Sequence, residues 1–410
     1  MRIFLRKIAQ SKCLLQQQEP FRHRVKKIVF PSSGERVVFV IGRDKIARED
    51  TTAYTMVHQR SVGLSPNTMY LQMQAVAMML DWADARGIDL EQRIGSGDLL
   101  SNDEIYALRD HLRSRADNAS GVVGGQHYRN RCVSVRDYVV WHAESVISRI
   151  PQPQWQRAQG HRMRLESFEK LMSSGLPSPA ARNREGHSED VQKLFLEAIH
   201  PDSPLNPFKP KFRKRNYALL LLYHERGLRR ADALKLTGED LLLHGDKPYV
   251  FVRFRNDDPR DPRVDEPRLK TQPRDLPISN ELRAALRDWV MDRAKNFPKA
   301  KRTPYIFVAG NGQPLALKAV NQMFQLLRAR VIGLPADLTT HHKRHDANDR
   351  LTEMSKTQGW SEAQEKTYRN YLMGWTKMSN QGEKYTKRST REGAERALQA
   401  LQAKSRGGAE

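Results

Sequence analysis

From about residue 50 onward, apolar positions recur at spacings of three and four, the period of a helix that buries one face. The clearest stretch is SPNTMYLQMQAVAMMLDWADARG. Ser65 stands as N-cap, Pro66 at the first helical position and Gly87 as the stop. Met69, Met73, Val76, Leu80 and Ala83 trace a single stripe along it, and methionines at that period read as core filler rather than a ligand surface. A second helix opens at SNDE, where Ser101 and Glu104 have the spacing of a capping box, and offers Ile105, Leu108 and Leu112 for burial. A third covers about 128 to 149, with Cys132, Val135, Val139 and Val146 on one stripe beside Tyr138 and Trp141.

Strict alternation is confined to short runs. KKIVF and RVVFVI flank a turn at PSSGE and predict a small hairpin. The stretch SSGLPSPAARNREGHSE has no apolar period and reads as a linker. Beyond it come a helix from Ser188 through Leu194 and Phe195, a basic loop KPKFRKR, and a strongly apolar helix NYALLLLYHERG ending at Gly227. The short helix LRRADALKL follows at once. PYVFVRFR (248–255) reads as a strand, and RLKTQPRDLPI as more strand around a turn at Gln272 and Pro273. Ser279 caps a helix to about 296, YIFV is a further strand, and Leu317 to Val331 a helix. Everything from 339 onward reads as helical, with a capping box at Ser361 and Gln364. The fold class is therefore mixed α/β, mostly α, with one small antiparallel sheet and no internal repeat. Five segments result: an N-terminal extension (1–48), a helical domain (49–175), a linker (176–188), a second domain (189–390) and a helical tail (391–410).

Charge narrows the class of partner. Seventy Lys and Arg against 47 Asp and Glu leave +23 over 410 residues, the footprint of a nucleic-acid binder. A basic protein without a polyanionic partner, or one bound to lipid, is the blander reading. Between Arg109 and Leu165 stand ten arginines and four acids, many off the apolar stripes, which suits a helical domain that grips phosphates. A tether at the linker would let two domains close around a duplex. The longest aliphatic run, Ala218 to Leu222, is far below a membrane span, and MRIFLRKIAQSK lacks the apolar run of a signal peptide. Cys13 and Cys132 are the only cysteines and have no metal spacing, so the chain suits a reducing, cytoplasmic compartment.

Several residues carry candidate chemistry. Arg229, in GLRRADAL, sits where one helix stops and another begins, and free N–H groups there favour anions. Asp232 is spaced to brace its guanidinium, although a surface Arg–Asp pair is the commoner meaning of that spacing. Lys270 stands beside a turn and can offer a proton to a leaving oxygen, but exposed hairpin lysines are ordinary. In THHKRHDAN, His341 and Arg344 are three apart and can address one ligand, the arginine as a fixed fork for two phosphate oxygens. His341 and His345 also have the i, i+4 spacing of zinc helices. Lys343 and Arg344 between them would repel a cation, and no acid is placed as a general base, so metal is disfavoured. Tyr385, in EKYTKR, has no apolar stripe to bury it, and the flanking cations favour the phenolate of a group whose ordinary pKa is about 10.

GLRR with Asp232, Lys270 near a turn, the His341-to-Arg344 spacing, Gly374–Trp375 and Tyr385 occur in order across about 160 residues. That ordered set resembles the catalytic signature of the tyrosine recombinases, the group that holds phage integrases, Xer proteins and Cre. The helix SPNTMYLQMQAVAMMLDWADARGIDL is similar to the first helices of their core-binding (SAM-like) domain, so the likeness spans roughly 50 to 390. The resemblance implies that Arg229 and Arg344 bind the scissile phosphate and that Lys270 protonates the leaving 5′ oxygen. His341 would assist proton transfer, and Tyr385 would become a 3′-phosphotyrosyl link. Trp375 falls where many members have a second histidine and a minority have tryptophan; His345 follows the second arginine as in much of the family. The long charged loop at 256 to 268 departs from the family's usual short hairpins. The resemblance further implies double-stranded DNA as partner, a homotetramer on two duplexes, and no metal or nucleotide cofactor. A type IB topoisomerase, or a non-catalytic DNA-binding regulator with the same fold, are the rival readings.

Overall fold

The computed structural model of the chain describes residues 22–115, 121–178, 185–384 and 398. Tyr385, Cys13 and all of the tail but 398 lie outside the described residues. The chain divides near residue 181 into two compact units, each with its own apolar core.

In the first unit, β1 (Arg24–Val29) and β2 (Arg36–Ile41) form the hairpin, with Arg24 opposite Ile41 and Val29 opposite Arg36. A short helix α1 (Glu49–Ala53) runs on into a π-helical turn. The long helix α2 (Pro66–Asp84) starts where Ser65 Oγ accepts the Thr68 N–H at 3.3 Å. Its five stripe residues are all buried, in one core with Leu108, Cys132, Val135 and Val139. Helix α3 (Leu90–Ser96) follows. Helix α4 (Asn102–Arg113) closes its capping box through Ser101 and Glu104, and α5 (Gly125–Ile147) begins three residues earlier than the spacing suggests. Helix α6 (Trp155–Ser173) is an addition: its buried stripe of Leu165, Phe168 and Met172 occupies only the last turns, too few positions to give a period by eye.

Several arginines of this unit serve its own architecture instead of facing outward. Arg109 donates to the Leu171 and Ser174 carbonyls at 2.6 and 2.7 Å, and Arg131 to those of Leu112 and Ser114 at 2.8 and 2.7 Å. Both cap helix C-termini, where orphan carbonyls need donors. Arg113, Arg149 and Arg162 are exposed.

The second unit opens with α7 (Glu189–Ile199) and α8 (Pro210–Arg226). The KPKFRKR run is not a loop: α8 begins within it, with Pro210 in the first turn, where its missing N–H costs nothing. Arg213 and Arg215 fix that turn through the Pro201 and Val308 carbonyls, both at 2.9 Å. Farther along, α8 is enclosed on all sides, and Tyr217 through Tyr223 are all buried. After α9 (Arg230–Leu234), the strands β3 (Leu241–Leu242), β4 (Tyr249–Val252) and β5 (Arg274–Pro277) form an antiparallel sheet in that order, Val250 opposite Leu276. β4 and β5 are shorter than the apolar runs suggest. Pro273 has no N–H to donate, and the Gln272 N–H goes to the Gly374 carbonyl at 2.9 Å, so Lys270 lies in an irregular segment instead of on a strand end. YIFV does not extend the sheet either. It runs through the core with isolated bridges from Tyr305 to Thr237 and from Val308 to Pro314.

Helices α10 (Asn280–Asn296) and α11 (Leu317–Arg330) cover this core, and Trp289 Nε1 donates to the Ile306 carbonyl at 3.1 Å. The last long helices among the described residues are α12 (Thr340–Gln358) and α13 (Glu362–Met373), the latter opened by the Ser361–Gln364 capping box. The helix breaks there: Gly374 takes φ 66°, the left-handed conformation that ends α13, and among the described residues a short 3-10 turn at Gln381–Lys384 follows. Among the described residues no helix is long and apolar enough to cross a membrane.

Candidate active site

Arg344 sits in the second turn of α12 and is almost wholly buried. Nη1 donates to the Gly227 carbonyl and Nη2 to the Met373 carbonyl, each at 2.8 Å, and Cζ lies 5.2 Å from the centre of the Trp375 ring. Two carbonyls and an indole therefore set the plane of a group that carries five donors. The carbonyls come from the ends of α8 and α13, so Arg344 joins the GLRR corner to the Gly-Trp corner. Gly227 is required for that approach: it has φ 57°, and a Cβ there would come within 2.9 Å of Ala347 Cβ.

Arg229 is the residue just before α9 and is half-buried. Its Nη1 is buried and, among the described residues, has no hydrogen-bond partner. A buried donor left unpaired is costly, by about 1–3 kcal/mol. An acceptor oxygen relieves it, and an anion supplies one that also offsets the guanidinium's charge.

Asp232 does not brace the Arg229 guanidinium as its spacing suggests. It receives the Arg229 backbone N–H at 3.4 Å, but its two oxygens are taken up chiefly by Thr271 Oγ1 at 2.9 Å and Arg274 Nη2 at 3.0 Å. Arg274 in turn donates through Nε to the Leu372 carbonyl at 2.9 Å and through Nη1 to that of Gln272 at 3.1 Å. Burial pushes the Arg274 guanidinium pKa down and the Asp232 charge opposes it, with nearby Arg229 adding to the depression. Gly374 completes the node, because a Cβ there would sit 2.4 Å from Arg274 Nη1.

Local spacing does not predict this node, because its partners lie about 40 to 100 residues apart in the chain. Its signal was the alternation in PRDLP, which puts Arg274 on the same sheet face as the buried Leu276. The node holds the Thr271 side of the Lys270 segment against α9 and against the end of α13. Lys270 itself is exposed.

His341 is exposed in the first turn of α12, while His342 is buried and His345 half-buried. The His342 ring lies 6.4 Å from that of His345. Arg229, the Lys270 segment, Arg344 and Trp375 are thus tied into one neighbourhood through the contacts of Asp232, Arg274 and Arg344, with His341 at the start of the same helix as Arg344. Such a grouping offers fixed cations to an anion and an exposed lysine and imidazole for proton transfer.

Residues 199–391 match the model of the phage integrase family. The tyrosine recombinase XerC of Chromohalobacter salexigens is 32% identical over 170 residues, 41% of this chain and 47% of that protein. The chain thus spans about half the length of this curated relative. Among solved structures, the Tn1549 transposon integrase in complex with a circular intermediate DNA has a TM-score of 0.50 at 17% identity, covering 85% of this chain and 99% of that one. That is a likeness of fold, and it fits the mostly helical architecture with small antiparallel sheets.

Proposed function

We propose that this chain, whose residues 199–391 match the phage integrase family, is a site-specific tyrosine recombinase of a mobile genetic element that cuts and rejoins double-stranded DNA. The observation that carries this reading is the buried Nη1 of Arg229, without a partner among the described residues, in the same neighbourhood as the rigidly held Arg344. Two guanidiniums so placed suit the two non-bridging oxygens of a phosphate diester.

In the proposed step, Tyr385 Oη attacks phosphorus as the bond to the 5′ oxygen breaks. Lys270 gives its proton to that oxygen, and His341 moves the phenol's proton away. Trp375 walls the site and orients Arg344, and His345 supports the same helix face. The product is a 3′-phosphotyrosyl link. A 5′ hydroxyl from a second duplex reverses the chemistry, the bond energy having been retained, so neither nucleotide nor metal is consumed. We place the reaction in the cytoplasm, in a homotetramer on two DNA sites. Covalent trapping tests the reading. Wild type and Tyr385→Phe are incubated with a nicked suicide duplex bearing the cognate site, and adduct is scored on a denaturing gel. Adduct from wild type and none from the variant is expected. No adduct from wild type would leave a DNA-binding regulator, and adduct with relaxation but no strand exchange would indicate a topoisomerase.

A further inference from the structure

His187, Asp337 and His342 bring a nitrogen, a carboxylate and a second nitrogen within 4.8 Å of one another, apart from the residues proposed for strand exchange. His187 Nε2 is 3.8 Å from Asp337 Oδ1, and His342 Nε2 is 3.2 Å from Asp337 Oδ2. A tetrahedral ion holding its ligands at about 2.0–2.1 Å sets them roughly 3.4 Å apart, so small side-chain adjustments close this set.

The far side of each ring is also occupied. His342 Nδ1 is 3.0 Å from Thr339 Oγ1, and in the tautomer that donates to this hydroxyl the Nε2 lone pair faces Asp337. His187 Nδ1 lies 3.5 Å from Asp346 Oδ1, which also accepts the His187 backbone N–H at 2.7 Å. Asp346 is itself anchored by Lys343 Nζ at 2.7 Å. An oxygen behind the ring that fixes which nitrogen faces forward is the support a ligating imidazole needs. Lys343, whose charge counts against metal in the His341–His345 pair, is here turned to Asp346 and seated 4.1 Å from the centre of the Phe195 ring.

We propose that His187 Nε2, His342 Nε2 and the Asp337 carboxylate form a binding site for a divalent transition metal of the zinc class. Water fills the fourth position on the side of the exposed Asp337. The ion's place is structural: it fastens residues 185–188 to the first turn of α12, beside His341 and two residues before Arg344.

The test uses the metal-free full-length protein titrated with Co²⁺, read by visible absorption of a tetrahedral centre, and then with Zn²⁺ in competition. One Co²⁺ per chain, displaced by Zn²⁺ with a rise in Tm, is the expected result. Asp337→Ala and His187→Gln should each weaken binding at least about tenfold. Asp337 is exposed, so its variant keeps the fold, which circular dichroism verifies. No stoichiometric binding, binding unchanged in Asp337→Ala, or binding lost in His341→Gln but kept in Asp337→Ala would each overturn the proposal. None of these readouts depends on DNA cleavage, so the recombinase reading can fail separately.

Discussion

At the scale of single residues, Asp232 and Arg274 are a buried ion pair on which three segments converge, with side chains essentially inaccessible on both partners. Asp232→Ala would leave the Arg274 guanidinium in the interior next to Arg229 without the carboxylate to which it now donates. Breaking such a pair from one side costs about 3–5 kcal/mol, because the remaining charge is uncompensated. We expect a fall of that order in urea unfolding of the second unit, and partial recovery in Asp232→Ala/Arg274→Met, which removes the stranded charge. A loss below about 1 kcal/mol would contradict the pair's assigned role. Local spacing makes Asp232 visible as an acid near Arg229, but its true partner is 42 residues away, beyond any helical or strand period. Arg344 illustrates the same limit. Its spacing from His341 is legible, whereas the Gly227 and Met373 carbonyls that fix its plane are 117 and 29 residues distant.

At the scale of elements, helices with caps and long stripes were legible from sequence, because the signal is local: Ser65, Ser101, Ser279 and Ser361 all accept the N–H bonds their positions predict. The charged loop at 256 to 268 has no such local signal: it is anchored inside the unit by buried ion pairs. Lys235, at the end of α9, meets Asp261 Oδ2 at 2.9 Å and bonds Glu266 Oε1, all three side chains being buried, and Arg263 adds a second cation to Asp261 at 2.7 Å. Removing the lysine leaves Glu266 to the Arg268 guanidinium at 3.6 Å and to the Asp257 and Asp258 N–H groups, and weakens the support of Asp261, so Lys235→Ala should lower stability by less than the roughly 3–5 kcal/mol lost when a buried charge is left uncompensated. Burial works to raise the Asp261 pKa, but Arg263 and Lys235 outweigh it and hold it below the ordinary value. A carboxylate depressed in the folded state stabilises above its unfolded pKa of about 3.9, and that contribution is lost as pH falls through the lower folded value. In Lys235→Ala the acid-side decline should therefore begin at higher pH, which denaturation series across pH 2–6 will show. An unchanged acid limb would mean that Arg263 alone holds Asp261 ionised.

At the scale of the molecule, the net charge of +23 is an excess visible in composition, but its distribution is not. Arg109 and Arg131 cap helices, and Arg215 and Arg274 are buried in structural bonds, so part of the count never reaches a ligand. The excess that matters to a polyanion is what stays exposed, including Arg113, Arg149 and Arg162 of the first unit. Each side chain that neutralises a phosphate releases counterions and adds about 0.9 to the slope of log K against log salt. If the full chain grips a duplex over some 6–10 phosphates, its affinity should fall by about 10³-fold or more between 50 and 200 mM salt. The capping arginines offer a built-in contrast, since replacing them perturbs the fold without removing a phosphate contact. Arg113→Ala/Arg149→Ala/Arg162→Ala should flatten the salt slope while leaving urea unfolding unchanged, whereas Arg109→Ala should lower stability. Fluorescence anisotropy on a labelled duplex across a salt series measures the first effect. A wild-type slope near zero would remove the electrostatic basis for DNA as the partner, and a triple variant with the wild-type slope would place the phosphate-binding cations elsewhere on the chain.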